Sequence, residues 1–101
     1  MTRYRMDDST VVDTANATKS WDEDTFHDGR NRISRATGDQ WTHETLYRSR
    51  RGRYYVEHTS QWQGTHPYAE WIGPERAAAW LALNGHEIPA DLQVAAEAVI
   101  E

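Results

Sequence analysis

Polar and apolar side chains alternate along residues 3–6, the run Asp7-Asp8-Ser9 is a turn signal, and residues 10–13 bring in Val11 and Val12. This predicts a short hairpin with Tyr4, Met6, Val11 and Val12 as its apolar contributors. Asp13 or Thr14 is placed to cap a helix running to about Asp24. Ala17 and Trp21 would lie four apart on one face of it, while Asp22, Glu23 and Asp24 would meet the negative end of its dipole. Residues 26–40 hold no sustained period and carry the turn signals Asp28-Gly29 and Thr37-Gly38-Asp39, so they read as a long connection around Ile33. Loops of that length inside compact domains are often functional or mobile.

The clearest pattern is a β-hairpin over residues 41–62. A turn at Arg51-Gly52, or one widened to residues 50–53, sets Ser49 opposite Tyr54, Tyr47 opposite Val56, Thr45 opposite His58 and Trp41 opposite Trp62. One face then carries Trp41, His43, Thr45, Tyr47, Tyr54, Val56, His58 and Trp62, and reads as the core side. The other carries Glu44, Leu46, Arg48, Tyr55, Glu57 and Thr59. There Arg48 opposes Tyr55 and Leu46 opposes Glu57, as on a solvent-facing or partner-facing surface.

After the turn signal Gly64-Thr65-His66-Pro67, residues 68–72 read as a third strand, with Tyr68, Glu70 and Ile72 on one face and Ala69 and Trp71 on the other. The period then becomes helical. Pro74 sits at the first position of a helix whose stripe is Ala77, Trp80, Leu81 and Asn84, and Gly85 stops it. Pro89 opens a second helix with the stripe Leu92, Ala95, Ala96, Val99 and Ile100, and Asp91 lies favourably in its first turn. The expected fold is α+β: an antiparallel sheet of about four or five strands with C-terminal helices packed on one face.

Composition changes this picture at one point. Leu, Ile, Val and Phe together fall below the roughly 20% usual for a chain that buries a core. The chain has five Trp and five Tyr, and each aromatic buries on the order of 150–250 Å². An aromatic-heavy core is therefore expected, and a length of 101 residues suits one domain. With no cysteine there is neither a disulfide framework nor a thiolate zinc site. Residues 1–13 contain no hydrophobic signal region, and the longest apolar run is too short to span a bilayer, which leads us to expect a soluble, cytoplasmic protein.

Two stretches resemble known sequences. The run Glu44-Thr45-Leu46-Tyr47-Arg48, Gly52-Arg53-Tyr54-Tyr55-Val56-Glu57-His58 and Ser60-Gln61-Trp62-Gln63-Gly64 resembles a group of small hypothetical bacterial proteins. So does the tail from Ala69-Glu70-Trp71 through Pro74-Glu75 and Ala79-Trp80-Leu81 to Asn84-Gly85-His86. The likeness covers roughly the last two thirds of the chain. That group carries no assigned activity, so the resemblance implies a bacterial origin and brings no catalytic residue, cofactor or substrate.

Charge supplies the functional lead. The net charge is −5, yet residues 30–53 hold seven basic side chains against the two acids Asp39 and Glu44 and are locally +5. Arg48, Arg50, Arg51 and Arg53 cluster at the expected hairpin tip, which makes them, with Tyr55, the candidate contacts to an anionic partner. An acidic protein surface would take bidentate carboxylate pairs. A single-stranded nucleic acid would lay phosphates on the arginines and stack bases on Tyr54, Tyr55 or Trp62. The plainer reading is that a hairpin tip is charged to keep an edge soluble; internal pairing, with Asp22, Glu23 and Asp24 folding back onto the arginines, is a separate alternative.

Catalytic motifs are missing: there is no GxSxG elbow, Walker loop, HExxH or glycine-rich dinucleotide fingerprint. The enzyme alternative is phosphodiester cleavage by Arg48, Glu57 and His58. A third alternative is an acidic mimic of nucleic acid, because the balance outside residues 30–53 is −10. His43 and His58, with Glu44 and Glu57, are the one set that invites a metal, but in the expected register the glutamates point away from the histidines. No metal and no cofactor is expected. The tryptophans read as core.

Overall fold

Tyr4 and Val12 lie across from each other in the antiparallel pair β1 (Arg3–Arg5) and β2 (Val11–Asp13), as the alternation predicts. They belong to a computed structural model that describes residues 2–61 and 66–98. Trp62, the Gly64-Thr65 half of the expected turn, and Val99 and Ile100 of the last expected stripe lie outside the described residues. Tyr4, Met6 and Val12 are buried, whereas Val11 faces out.

The expected helix at 13–24 does not form. Asp13 does act as a cap, its carboxylate accepting from the Ala15 amide, but it caps a single 3-10 turn, Thr14–Asn16. The chain then extends into β3 (Lys19–Asp22), which pairs with β6 (Thr42–Arg48) from Lys19 opposite Arg48 to Asp22 opposite Thr45. Two apolar residues four apart offer a helix little to bury, while the same Trp21 in a strand packs on Leu46 and stacks on Tyr54 at 6.0 Å. Tertiary pairing outweighs weak local propensity here.

The expected loop at 26–40 also contains structure. β4 (Thr25–His27) and β5 (Arg32–Ser34) form a small hairpin with Phe26 opposite Ile33, and Asp28 supplies its turn by accepting from the amides of Arg30 and Asn31. Three residues per strand are too few to produce a visible period.

β6 pairs with β7 (Tyr54–Ser60), and β7 with β8 (Tyr68–Ile72), giving the four-stranded antiparallel order β3-β6-β7-β8. The register differs by one from the expected one: Leu46 faces Val56, Tyr47 faces Tyr55, and Arg48 faces Tyr54. The loop is the reason. Arg50, Arg51 and Gly52 make an odd, three-residue connection between Ser49 and Arg53, closed by the Ser49 amide on the Arg53 carbonyl at 2.7 Å, with Gly52 at φ 87°. A type I turn followed by a left-handed residue gives this length, and a one-residue slip regroups the side chains that share a face.

The consequence is a sheet covered on both sides. One face presents Trp21, Leu46, Tyr54, Val56 and Ile72 to Ala77, Trp80, Leu81 and Leu92. Each of these large apolar side chains contributes about 1.5–3 kcal/mol on full burial. The opposite face presents Tyr55 and Ala69 to Tyr4, Met6 and Val12, with Tyr47 and Trp71 alongside.

The helical part follows the pattern. α1 (Pro74–Leu83) buries Ala77, Ala78, Trp80 and Leu81, and ends at Asn84 and Gly85. The second helix begins as a 3-10 turn, Ala90–Leu92, and continues as α2 (Gln93–Ala98). No helix among the described residues is long and apolar enough to cross a membrane.

Candidate anion-binding cleft at the hairpin tip

The odd loop splits the arginine cluster between three environments. Arg48 ends β6 on the helix-covered face and turns inward: its Nε donates to Asp91 at 3.2 Å and a terminal nitrogen to the Thr18 hydroxyl at 3.2 Å. The same Asp91 oxygen accepts from the Tyr54 hydroxyl at 2.8 Å. Burial and the bond to Asp91 push the Tyr54 phenol up to about 12. Burial acts to raise Asp91, but the bonds from Tyr54 and Arg48 outweigh it and leave that carboxyl below its ordinary value. Arg48 thus anchors the sheet to the turn before α2.

Arg53 turns to the other face. Its guanidinium lies over the Trp71 ring at 3.8 Å from the centroid and reaches Asp8 at 3.2 Å, while the Trp71 indole nitrogen donates to the same carboxylate at 3.2 Å. The hydroxyl and amide of Thr10, with Trp71 and Arg53 adding to them, hold Asp8 well below the usual carboxylate range. The acids that meet the arginines of the tip are therefore Asp91 and Asp8. The alternative fold-back of 22–24 onto these arginines is not found among the described residues: Glu23 accepts from His43 and Ser34, and Asp24 pairs with Arg35.

Arg50 and Arg51 occupy the turn itself, exposed, and neither forms an ion pair among the described residues. They rim a cleft of about 560 Å³ between the tip and the N-terminal hairpin, a size within the range of ligand sites. Arg3 and Asp13, themselves paired at 3.2 Å, stand on its far side. Val11, Val12 and Ala17 form an apolar wall, and Arg53, Tyr55 and Trp71 complete it.

Tyr55 requires a correction. The expected register put it on the partner-facing surface opposite Arg48, but it opposes Tyr47 and is only 1% exposed. Its ring stacks on Tyr47 at 5.2 Å and meets Trp71 edge-on at 5.7 Å. Among the described residues its buried hydroxyl has no hydrogen-bond partner.

The residues suspected of catalysis do not converge. Arg48 and His58 lie on the helix side, whereas Glu57 points to the N-terminal hairpin and accepts from the Tyr4 hydroxyl at 2.5 Å. Burial, reinforced by that bond, raises the Tyr4 phenol above its ordinary value. His43 and His58 are likewise on opposite faces. Glu44 directly opposes His58, contrary to expectation, and His58 sits between two carboxylates, 3.3 Å from Glu44 and 3.1 Å from Glu70. No group of three or more His, Cys, Asp or Glu side chains among the described residues is arranged to hold a metal ion.

Of the tryptophans, Trp21 and Trp80 are core, Trp71 is half-buried under Arg53, and Trp41 is exposed. The sequence pattern placed Arg50 and Arg51 at the hairpin tip but did not bring Arg3, Asp8 or Trp71 to it. The one available signal was Gly52: a left-handed glycine closing a three-residue loop sets the register that sends Arg48 and Arg53 to opposite faces.

No family model matches the chain, and neither a curated protein nor a solved structure is found similar to it.

Proposed function

We propose that this protein is a non-catalytic binding module whose hairpin tip, through Arg50 and Arg51, contacts an acidic surface on a protein partner. The observation that carries this reading is the division of labour within the cluster. Arg48 and Arg53 are engaged by Asp91 and Asp8, whereas Arg50 and Arg51 project beside a cleft without an ion pair among the described residues, the Asp13 that lines it being paired with Arg3. Guanidinium groups of this kind pair with carboxylates through two parallel hydrogen bonds.

An acidic protein is favoured over nucleic acid on two grounds. Tyr54 and Tyr55, two of the three side chains expected to stack on bases, are buried, and the −5 chain repels a polyanion at long range. Phosphodiester cleavage loses its support because Arg48, Glu57 and His58 do not face one another.

The test is affinity capture from a bacterial lysate with the wild-type chain and with the double variant Arg50→Ser/Arg51→Ser, followed by quantitative mass spectrometry. Acidic proteins held by the wild type should be released by salt and depleted at least about tenfold on the variant, the loss expected when one or two charge-assisted hydrogen bonds are removed. Equal capture by both chains, or recovery of nucleic acid in place of protein, would overturn the reading. Arg48 and Arg53 are unsuitable for this test because their loss also removes the bonds to Asp91 and Asp8.

A further inference from the structure

Tyr55 is packed as a phenylalanine would be, between Tyr47 and Trp71, yet it carries a hydroxyl that nothing among the described residues satisfies. A buried polar group without a partner is costly and uncommon. Tyr55 also borders the cleft beneath Arg50 and Arg51. Burial pushes its phenol up to about 12, so at neutral pH it keeps its proton and is a donor.

We infer that the cleft receives a single carboxylate side chain, of the glutamate type, from the acidic partner. Its oxygens are held by the Arg50 and Arg51 guanidinium groups and by a hydrogen bond donated from the Tyr55 hydroxyl. This rests on the binding function proposed above and adds the chemistry by which the site selects its ligand. The walls fit the assignment: Val11, Val12 and Ala17 offer an apolar surface to the methylene stem of a glutamate. Asp13 lines the cleft paired with Arg3, and Asp8 pairs with Arg53 of the lining, so Arg50 and Arg51 are the lining cations left to hold an inserted carboxylate. The hydroxyl is buried, so its bond to the ligand requires the tip to part from the N-terminal hairpin, a wall held by two three-residue strands.

The probe is a capped tetraglutamate peptide, titrated at low salt against the wild type, Arg50→Ser/Arg51→Ser and Tyr55→Phe, with affinity and the Trp71 indole NMR signal as readouts. Capped tetraglutamine, inorganic phosphate and oligothymidylate serve as comparison ligands. Tetraglutamate alone should bind, the Trp71 signal should shift, and affinity should fall about tenfold or more in both variants, the loss expected for a hydrogen bond to a charged group. Unchanged affinity in Tyr55→Phe, with loss confined to the arginine variant, overturns the seated carboxylate and leaves the tip as a binding surface. Tighter binding of phosphate or oligothymidylate overturns the carboxylate class. Binding of no probe, or binding that ignores Arg50 and Arg51, overturns the inference and the proposed function together.

Discussion

Tyr55 shows how one atom separates packing from function. Its ring is held by Tyr47 and Trp71, and its hydroxyl is unsatisfied among the described residues. Replacing it with phenylalanine keeps the packing and removes the buried polar group, so the unliganded Tyr55→Phe protein should be more stable by about 1 kcal/mol. Thermal melts of the two proteins check this. A lower melting temperature for the variant would mean that the hydroxyl is satisfied in the folded state. Asp91 illustrates the reverse relation, in which a polar atom is used fully: one of its oxygens accepts from both Tyr54 and Arg48.

Among the elements, the Ser49–Arg53 turn decides the most. Gly52 sits at φ 87°, and a Cβ added there would lie 3.2 Å from a terminal nitrogen of Arg48. Alanine pays for the left-handed backbone, about 1–2 kcal/mol, and requires the Arg48 guanidinium to give by a few tenths of an ångström. Gly52→Ala should therefore lower stability by about that amount in urea unfolding while the four-stranded sheet persists by circular dichroism. An unchanged midpoint would show that the turn tolerates a side chain and that the glycine does not set the register. The hairpin itself was legible from the alternation at 41–60, and β8, α1 and the start of the second helix from changes of period and from Pro74, Gly85 and Pro89. β3, β4 and β5 were not, because three or four residues provide no period and their stability comes from the strands they meet. The site was legible in part: Arg50 and Arg51 read correctly as turn residues, whereas the fates of Arg48, Arg53 and Tyr55 depended on a loop one residue longer or shorter than expected.

At the scale of the whole molecule, the sheet is a central layer between the helices and the N-terminal hairpin, and polar clusters as well as apolar ones join the layers. His58 lies between Glu44 and Glu70, Trp80 of α1 donates to Glu44 at 2.9 Å, and Arg76 is 3.7 Å from Glu70. Chiefly through its bond to Glu44, His58 has a raised folded-state pKa although burial opposes the charge. A raised value means that the charged cluster contributes its full stabilisation below the unfolded-state pKa of about 6.5 and loses it as pH rises through the higher folded value. The melting temperature of the wild type should fall across that window, and His58→Gln should flatten the fall. An equally steep pH dependence in the variant would place its origin in another group.

The boundary between what the sequence determined and what tertiary structure decided follows from how far each force acts. Period, caps, proline and glycine operate over a few residues, and they determined the fold class, the central hairpin, the helices and the placing of two exposed arginines at a turn. Long-range pairing decided the rest: which edge of β6 would recruit residues 19–22, which face of the sheet each arginine would meet, and that Arg3 would stand across a cleft from Arg50 and Arg51. Those outcomes depend on side chains far apart in the chain, such as Asp8 with Arg53 and Asp91 with Arg48, whose attraction operates only after the backbone has brought them within a few ångströms.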